Sequence, residues 1–135
     1  GEEARSLLSR GAREIVLLGQ TVDAWGSDLT PPRPFSTLLT TIACLPGLAR
    51  LRFLTSHPED FTADIIDAIA ELPQLCEELN LPIQSGDDTV LRRMARPYRV
   101  PEYLDLVAQI RRAIPEIALA TDVIVGFPGQ TAYPF

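Results

Sequence analysis

Asp122-Val-Ile-Val-Gly-Phe-Pro-Gly129 is an apolar run that stops on a glycine-rich turn, and Leu81-Pro-Ile-Gln-Ser-Gly86 repeats that design two helices earlier. A buried strand that closes on a small polar cluster is the repeating unit of a parallel α/β fold. In a parallel barrel the functional groups gather at the carboxyl ends of the strands. Working towards the N-terminus, two more segments end in the same way: Glu14-Ile-Val-Leu-Leu18 on Gly19-Gln20-Thr21, and Ala49 to Leu54 on Thr55-Ser56-His57-Pro58. The four strands are predicted at 14–18, 49–54, 79–83 and 119–125, the first and last as runs buried on both faces. Leu51 and Phe53 alternate with Arg50 and Arg52, so the second begins partly wet. Pro82 lacks an amide donor and belongs at a strand end or an irregularity.

Between the strands the apolar spacing is helical. Ala4, Leu7 and Leu8 share a face before Gly11, a left-handed stop. After the Pro-rich loop from Thr30 to Pro34, Phe35, Leu38, Leu39 and Ile42 recur at helical spacing with Ser36 as the candidate cap, and Pro46-Gly47 ends that helix. Thr62 is an N-cap with Phe61 and Ile66 as its hydrophobic staple, for a helix through Leu72. Asp87 or Asp88 opens a helix carrying Val90, Leu91 and Met94. Pro101 opens another, striped by Tyr103, Leu106, Val107, Ile110 and Ile114. The order α-β-α-β-α-β-α-α-β with right-handed crossovers makes an α/β fold, a partial parallel TIM-like (β/α) barrel of about four βα units that is not closed. A closed barrel takes about 250 residues, and this chain has 135. Residues 1–135 therefore read as one central piece of a larger domain, with outer strands whose open edges favour self-association.

Composition narrows the function. The chain is 46% hydrophobic and 22% charged, ordinary for a globular protein, with no apolar run of membrane-span length. The acidic, polar N-terminus does not resemble a cleavable signal. A net charge of −6 gives this segment no overall attraction to a polyanion, and all 12 basic residues are Arg. Cys44 and Cys76 form no C-x-x-C pattern, so neither a disulfide framework nor a metal site is indicated, and both fit a reducing cytoplasm. The strand ends contain no paired carboxylates, no Ser/His/Asp triad and no Walker-type phosphate loop. Glycines, amides and hydroxyls instead suit a polar ligand such as a nucleoside or an amino-acid moiety. Asp122, a carboxylate in an apolar strand, either lines a functional interior or sits on the sheet's wet rim. Gln84-Ser85-Gly86 also reads as a simple helix-capping turn, His57 as a loop or capping residue, and Arg92, Arg93, Arg96 and Arg99 as a solvated helix face.

Leu17-Leu-Gly-Gln-Thr-Val-Asp-Ala-Trp25, Arg52-Phe-Leu-Thr-Ser-His-Pro58, Leu81 through Arg96, and Asp122 through Gly129 resemble, in order, successive motifs of the radical S-adenosylmethionine methylthiotransferases. The Leu-Leu-Gly-Gln and Thr-Ser-His-Pro elements resemble the branch that converts N6-isopentenyladenosine beside the tRNA anticodon to its 2-methylthio form. Sister branches modify a ribosomal protein or threonylcarbamoyladenosine in tRNA. The resemblance implies a transferase whose [4Fe-4S] cluster reduces and cleaves S-adenosylmethionine, with a second cluster and a second S-adenosylmethionine supplying sulfur and methyl. It implies tRNA and an electron donor as partners, a cytoplasmic location and no membrane. The family's Cys-x-x-x-Cys-x-x-Cys loop, its N-terminal methylthiotransferase domain and its C-terminal RNA-binding domain are not among residues 1–135. These residues are therefore expected to be inactive alone and to hold neither iron nor S-adenosylmethionine tightly.

By the same resemblance, Gly19 and Gln20 meet the amino group of S-adenosylmethionine, and Gln84 and Ser85 its ribose or methionyl part. Arg96 meets its carboxylate, Ile124 and Gly126 lie near adenine, and Asp122 joins this cofactor-binding set. No residue is assigned to catalysis or to metal. The chain departs from the tRNA branch at Thr21 and Asp23, where Asn is frequent, at Asn80, where His is usual, and at Gln130, where Glu is usual. A noncatalytic ligand-binding module that lacks the cluster loop is the remaining reading.

Overall fold

A computed structural model describes residues 1–54 and 56–130. The elements follow the predicted alternation: α1 (Glu2–Ser9), β1 (Glu14–Leu17), α2 (Phe35–Ala43), β2 (Arg50–Phe53), α3 (Ala63–Glu71), β3 (Glu78–Asn80), α4 (Asp88–Arg93), α5 (Val100–Ala113) and β4 (Ala118–Ala120). β1 pairs with β2 in parallel, with Ile15 opposite Leu51, and β3 pairs with β4 in parallel, with Leu79 opposite Leu119. The two pairs are separate two-stranded sheets. An isolated parallel bridge, Leu51 to Leu75, brings the segment leading into β3 beside β2, with Leu51 N–H donating to Gln74 O and Cys76 N–H donating to Leu51 O.

The helices lie on one side of these strands because that is where the alternation points the large apolar side chains. Ile15, Leu51, Phe53 and Leu79 are buried there with Leu39 and Ile42 of α2, Ile65 and Ile69 of α3, and Tyr103 and Ile110 of α5. Phe35 and Phe53 meet edge to face with centroids 5.3 Å apart, and Phe53 stacks with Phe61 at 6.5 Å. The opposite face carries no helix among the described residues. Its charges compensate each other across the strands: Glu14 pairs with Arg50 and Arg52, and Arg52 with Glu78. The hydrogen bond from Arg50 holds the Glu14 carboxyl below its usual range, with the charges of Arg50 and Arg52 adding to this.

Here the expectation of strands buried on both faces is corrected. Val16 and Leu18 are exposed, the latter by 73%, and the fourth strand is only Ala118–Ala120, followed by an exposed Asp122 and a Val125 that is 66% exposed. A run of β-branched residues states that both faces tolerate burial, but burial requires a covering element, and only one face has it.

Two caps also differ from expectation. α2 starts at Phe35 with Pro34 as its N-cap residue, so Ser36 lies inside the helix. Thr62 is the N-cap residue of α3, yet its side chain does not cap. The hydroxyls of Ser36 and Thr62 turn instead towards Asp64, whose carboxyl they hold below the usual range. Asp87 is a capping side chain of the usual kind, accepting from Thr89 N–H at 2.6 Å and Val90 N–H at 3.0 Å. At α5, the Glu102 carboxylate accepts from Arg99 N–H at 2.8 Å.

Candidate functional site

The carboxyl ends of β1, β2 and β3 converge on a cleft of about 240 Å³ lined by Gln20, Thr21, Ser56, His57, Pro58, Pro82, Gln84, Arg96 and Tyr98. The convergence is a consequence of parallel strands, since each strand delivers its following loop to the same end. Tyr98 builds the floor. Its hydroxyl donates to Pro82 O and Ile83 O, both at 3.2 Å, and burial pushes its phenol pKa up, so it stays a neutral donor. The His57 ring stands edge-on to Tyr98, with centroids 5.6 Å apart.

Gln84 is held in an unusual backbone state, φ +71°, that turns the chain as it leaves β3. Its N–H donates to Asp122 O and its carbonyl accepts from Ile124 N–H, each at 2.9 Å, and Ile83 N–H donates to Thr121 Oγ1 at 2.9 Å. These bonds extend the β3–β4 pairing one step beyond the regular strands and seat the 122–126 segment beside Gln84. Tyr103 anchors the same junction from α5, donating to Leu81 O at 2.8 Å.

The first two loops are tied by Asp23, in a single-turn 3-10 helix (Val22–Ala24) beyond β1. Its Oδ2 accepts from His57 N–H at 2.8 Å, while Oδ1 is buried without a partner among the described residues. Asp23 is only 5% exposed, and this burial, reinforced by the nearby charge of Asp60, raises its pKa from 3.8 to about 6 against the opposing pull of the His57 amide. Farther along this loop, glycine is required at position 26, where φ is +87° and a Cβ would lie 2.2 Å from Arg33 O.

Of the residues singled out from sequence, Gln20, Gln84 and Arg96 share the cleft, and Gly19 adjoins it at the end of β1. Ser85 is buried and turned away, its hydroxyl accepting from Asp87 N–H at 3.2 Å at the start of α4. Asp122 lies on the open face, exposed, accepting from Asn80 Nδ2 at 3.1 Å, which is the wet-rim alternative. Ile124 and Gly126 (φ +75°) are exposed next to Gln84. Thr55 and Thr131 of the strand-end clusters lie outside the described residues. Tyr98 and Asp23 were not among the sequence candidates. Tyr98 comes from the turn between two helices, where no strand-end signal points, whereas a carboxylate three residues after a Gly-Gln strand end was a visible signal.

The cleft suits a zwitterionic, hydroxyl-bearing ligand. Among the described residues the Nε of Arg96 and the Oγ of Ser56 are buried without partners, and each is paired most simply by a bound acceptor or donor. A metal cluster is a different matter. Among the described residues no group of three or more His, Cys, Asp or Glu side chains is arranged to hold a metal ion. Cys44 ends α2 and Cys76 precedes β3, so both lie towards the amino ends of the strands, away from the cleft.

Residues 1–133 match the Radical SAM superfamily, so this chain belongs to that superfamily. It is 48% identical over 134 residues to the tRNA-2-methylthio-N(6)-dimethylallyladenosine synthase of Clostridium botulinum (strain Okra / Type B1), covering 99% of this chain and 30% of that protein. It is 55% identical over 135 residues to the protein of the same name from Roseiflexus sp. (strain RS-1), covering 99% and 28%. With the Chloroflexus aurantiacus relative the identity is 53% over 135 residues, covering 99% and 29%. The chain thus spans under a third of the length of the curated relatives it matches.

Proposed function

We propose that this chain is the central part of the radical domain of a tRNA methylthiotransferase, and that the cleft at its strand ends receives S-adenosylmethionine. The observation that carries the reading is the meeting of Gln20, Gln84 and the unpaired Arg96 Nε in one polar cleft within a Radical SAM superfamily chain. In this reading Gly19 and Gln20 take the amino group, Arg96 the carboxylate, and Gln84 the ribose. Ser85 acts indirectly, fixing the turn that presents Gln84, and Ile124 to Gly126 border the adenine. When bound beside an iron–sulfur cluster, S-adenosylmethionine supplies an adenosyl radical able to activate a C–H bond.

Cluster ligands come from outside the described residues, as do the remaining strands of a (β/α) barrel of which this chain forms about four units. The open face and the singly paired outer strands β1 and β4 support that architecture. The names of its relatives support N6-isopentenyladenosine (dimethylallyladenosine) in tRNA as the substrate; an electron donor as a further partner and the cytoplasm as the setting are part of the same proposal. No helix among the described residues is long and apolar enough to cross a membrane.

The test is a nucleoside profile of tRNA from cells lacking the gene. Accumulation of isopentenyladenosine without its 2-methylthio group is the expected result. Normal methylthiolation of that nucleoside, with loss of a modification on a ribosomal protein or on threonylcarbamoyladenosine, transfers the chain to a sister branch and refutes the substrate.

A further inference from the structure

Asp23 belongs to a loop that has no obvious need of a carboxylate. It is almost fully enclosed, it touches no cation, and its Oδ1 has no partner among the described residues. Its hydrogen bond to another described residue spans 34 residues of chain, from the turn after β1 to the backbone of His57 after β2. Both of these loops line the cleft, through Gln20 and Thr21 on one side and Ser56, His57 and Pro58 on the other. Among the described residues, the backbone hydrogen bond between these two segments is at the strand ends, where Leu17 O accepts from Leu54 N–H.

We infer that Asp23 is a positioning residue for the cleft: its carboxylate fixes the Ser56–His57 turn against the end of β1 and so sets the distance between Gln20 and the wall formed by His57 and Tyr98. The His57 ring is in turn packed on Tyr98, which is bonded to the β3 end, so the tie runs from β1 through β2 to β3. A backbone N–H given to a carboxylate makes a shorter and stronger bond than one given to a neutral acceptor, which suits a tie between two loops. The groups that face the carboxylate are His57, whose charge when protonated would favour the ionised form, and Asp60, whose charge opposes it.

The test separates the tie from the ligand, because the choice of ligand rests on the function proposed above. The first readout is the His57 backbone amide by proton–nitrogen NMR. In the wild type its shift includes a step that follows the ionisation of Asp23, and in Asp23→Asn the amide stays protected and that step is lost. In Asp23→Ala its exchange rises at least roughly tenfold, as expected when a bonded amide loses its acceptor. The second readout is calorimetric binding of S-adenosylhomocysteine, an unreactive probe, to the anaerobically reconstituted complete enzyme. Affinity within about threefold of wild type for Asp23→Asn and a loss of about tenfold or more for Asp23→Ala is the expected pattern. Equal affinity and equal His57 protection in the alanine variant overturn the inference. Should that variant fail to fold, a wild-type His57 amide that does not respond to pH overturns it by itself. The expected amide behaviour with no probe binding in any variant, wild type included, supports the tie and counts against the ligand.

Discussion

Replacing Asp23 by Asn has a consequence for stability that the structure fixes in sign and approximate size. Asp23 is 5% exposed, one of its oxygens has a single backbone donor and the other has none, and Asp60 adds a repulsive charge. Burial therefore outweighs the His57 bond, and the folded carboxyl titrates at about 6 instead of 3.8. A group whose folded pKa is raised favours the fold while it is protonated. Its contribution is fully present below about pH 4 and is lost as pH rises through about 6. A displacement of roughly two on the pH scale, at about 1.4 kcal/mol each, makes that loss on the order of 2–3 kcal/mol. Asn is neutral throughout, so the unfolding free energy of Asp23→Asn minus that of wild type should grow by this amount between pH 4 and pH 7. Urea unfolding of both chains at unit steps of pH measures it directly. A difference that stays constant within about 0.5 kcal/mol would show that the carboxylate is solvated or fully bonded, and the reasoning fails.

Three further outcomes follow from the same geometry. Leu51 is wholly buried and stands opposite both Ile15 and Leu75, so Leu51→Ala should cost about 3 kcal/mol in urea unfolding; a loss below about 1 kcal/mol contradicts its place in the core. Gln84 sits at φ +71°, so Gln84→Gly should leave stability unchanged or raise it by up to about 1 kcal/mol while weakening probe binding about tenfold; parallel losses of both would mean that the side chain is structural. β1 and β4 are each paired on one edge only among the described residues, so the isolated 135-residue chain should sediment as concentration-dependent oligomers, and a sharp monomer at all loadings would contradict this.

Much of the architecture is legible in the sequence because its signals are local. The stop at Gly11, the cap at Asp87 and the stripe of α5 each depend on residues within one or two turns, and each stands where the periodicity places it. Most of the failures are questions about a distant neighbour. Ser36 has the chemistry of a cap, but a carboxylate brought close by folding, Asp64, draws its hydroxyl away, while for Thr62 the same carboxylate is a local competitor two residues on. Val123 to Val125 have the chemistry of a buried strand, but no described residue covers them. The site shows the same division. Gln20 and Gln84 are visible as strand ends, and their meeting follows from a parallel order. Ser85 and Gln84 are adjacent and equally polar, and only the turn at Gln84 determines that one faces the cleft and the other the helix.

Two unpaired polar atoms make a physical case that the mouth receives a ligand. Buried polar atoms without partners cost about 1–3 kcal/mol each, and folding alone gives no reason to gather them. Among the described residues Ser56 Oγ and Arg96 Nε are two such atoms in one cleft, while Asp23 Oδ1, Arg52 Nε, Asp64 Oδ2 and Asn80 Oδ1 lie outside its lining. A ligand that supplies a carboxylate to Arg96 and a hydroxyl or amine to Ser56 would recover that cost on binding, which links affinity to stability. The complete enzyme should then gain thermal stability with S-adenosylhomocysteine, by about 2.7 kcal/mol at a hundredfold excess over Kd. Arg96→Met keeps the length of the side chain and removes the donor, so it should abolish most of that gain while leaving the ligand-free enzyme no less stable. If the free variant is instead strongly destabilised, Arg96 is a structural residue whose partner lies within the fold, and the cleft loses its anchor for a carboxylate.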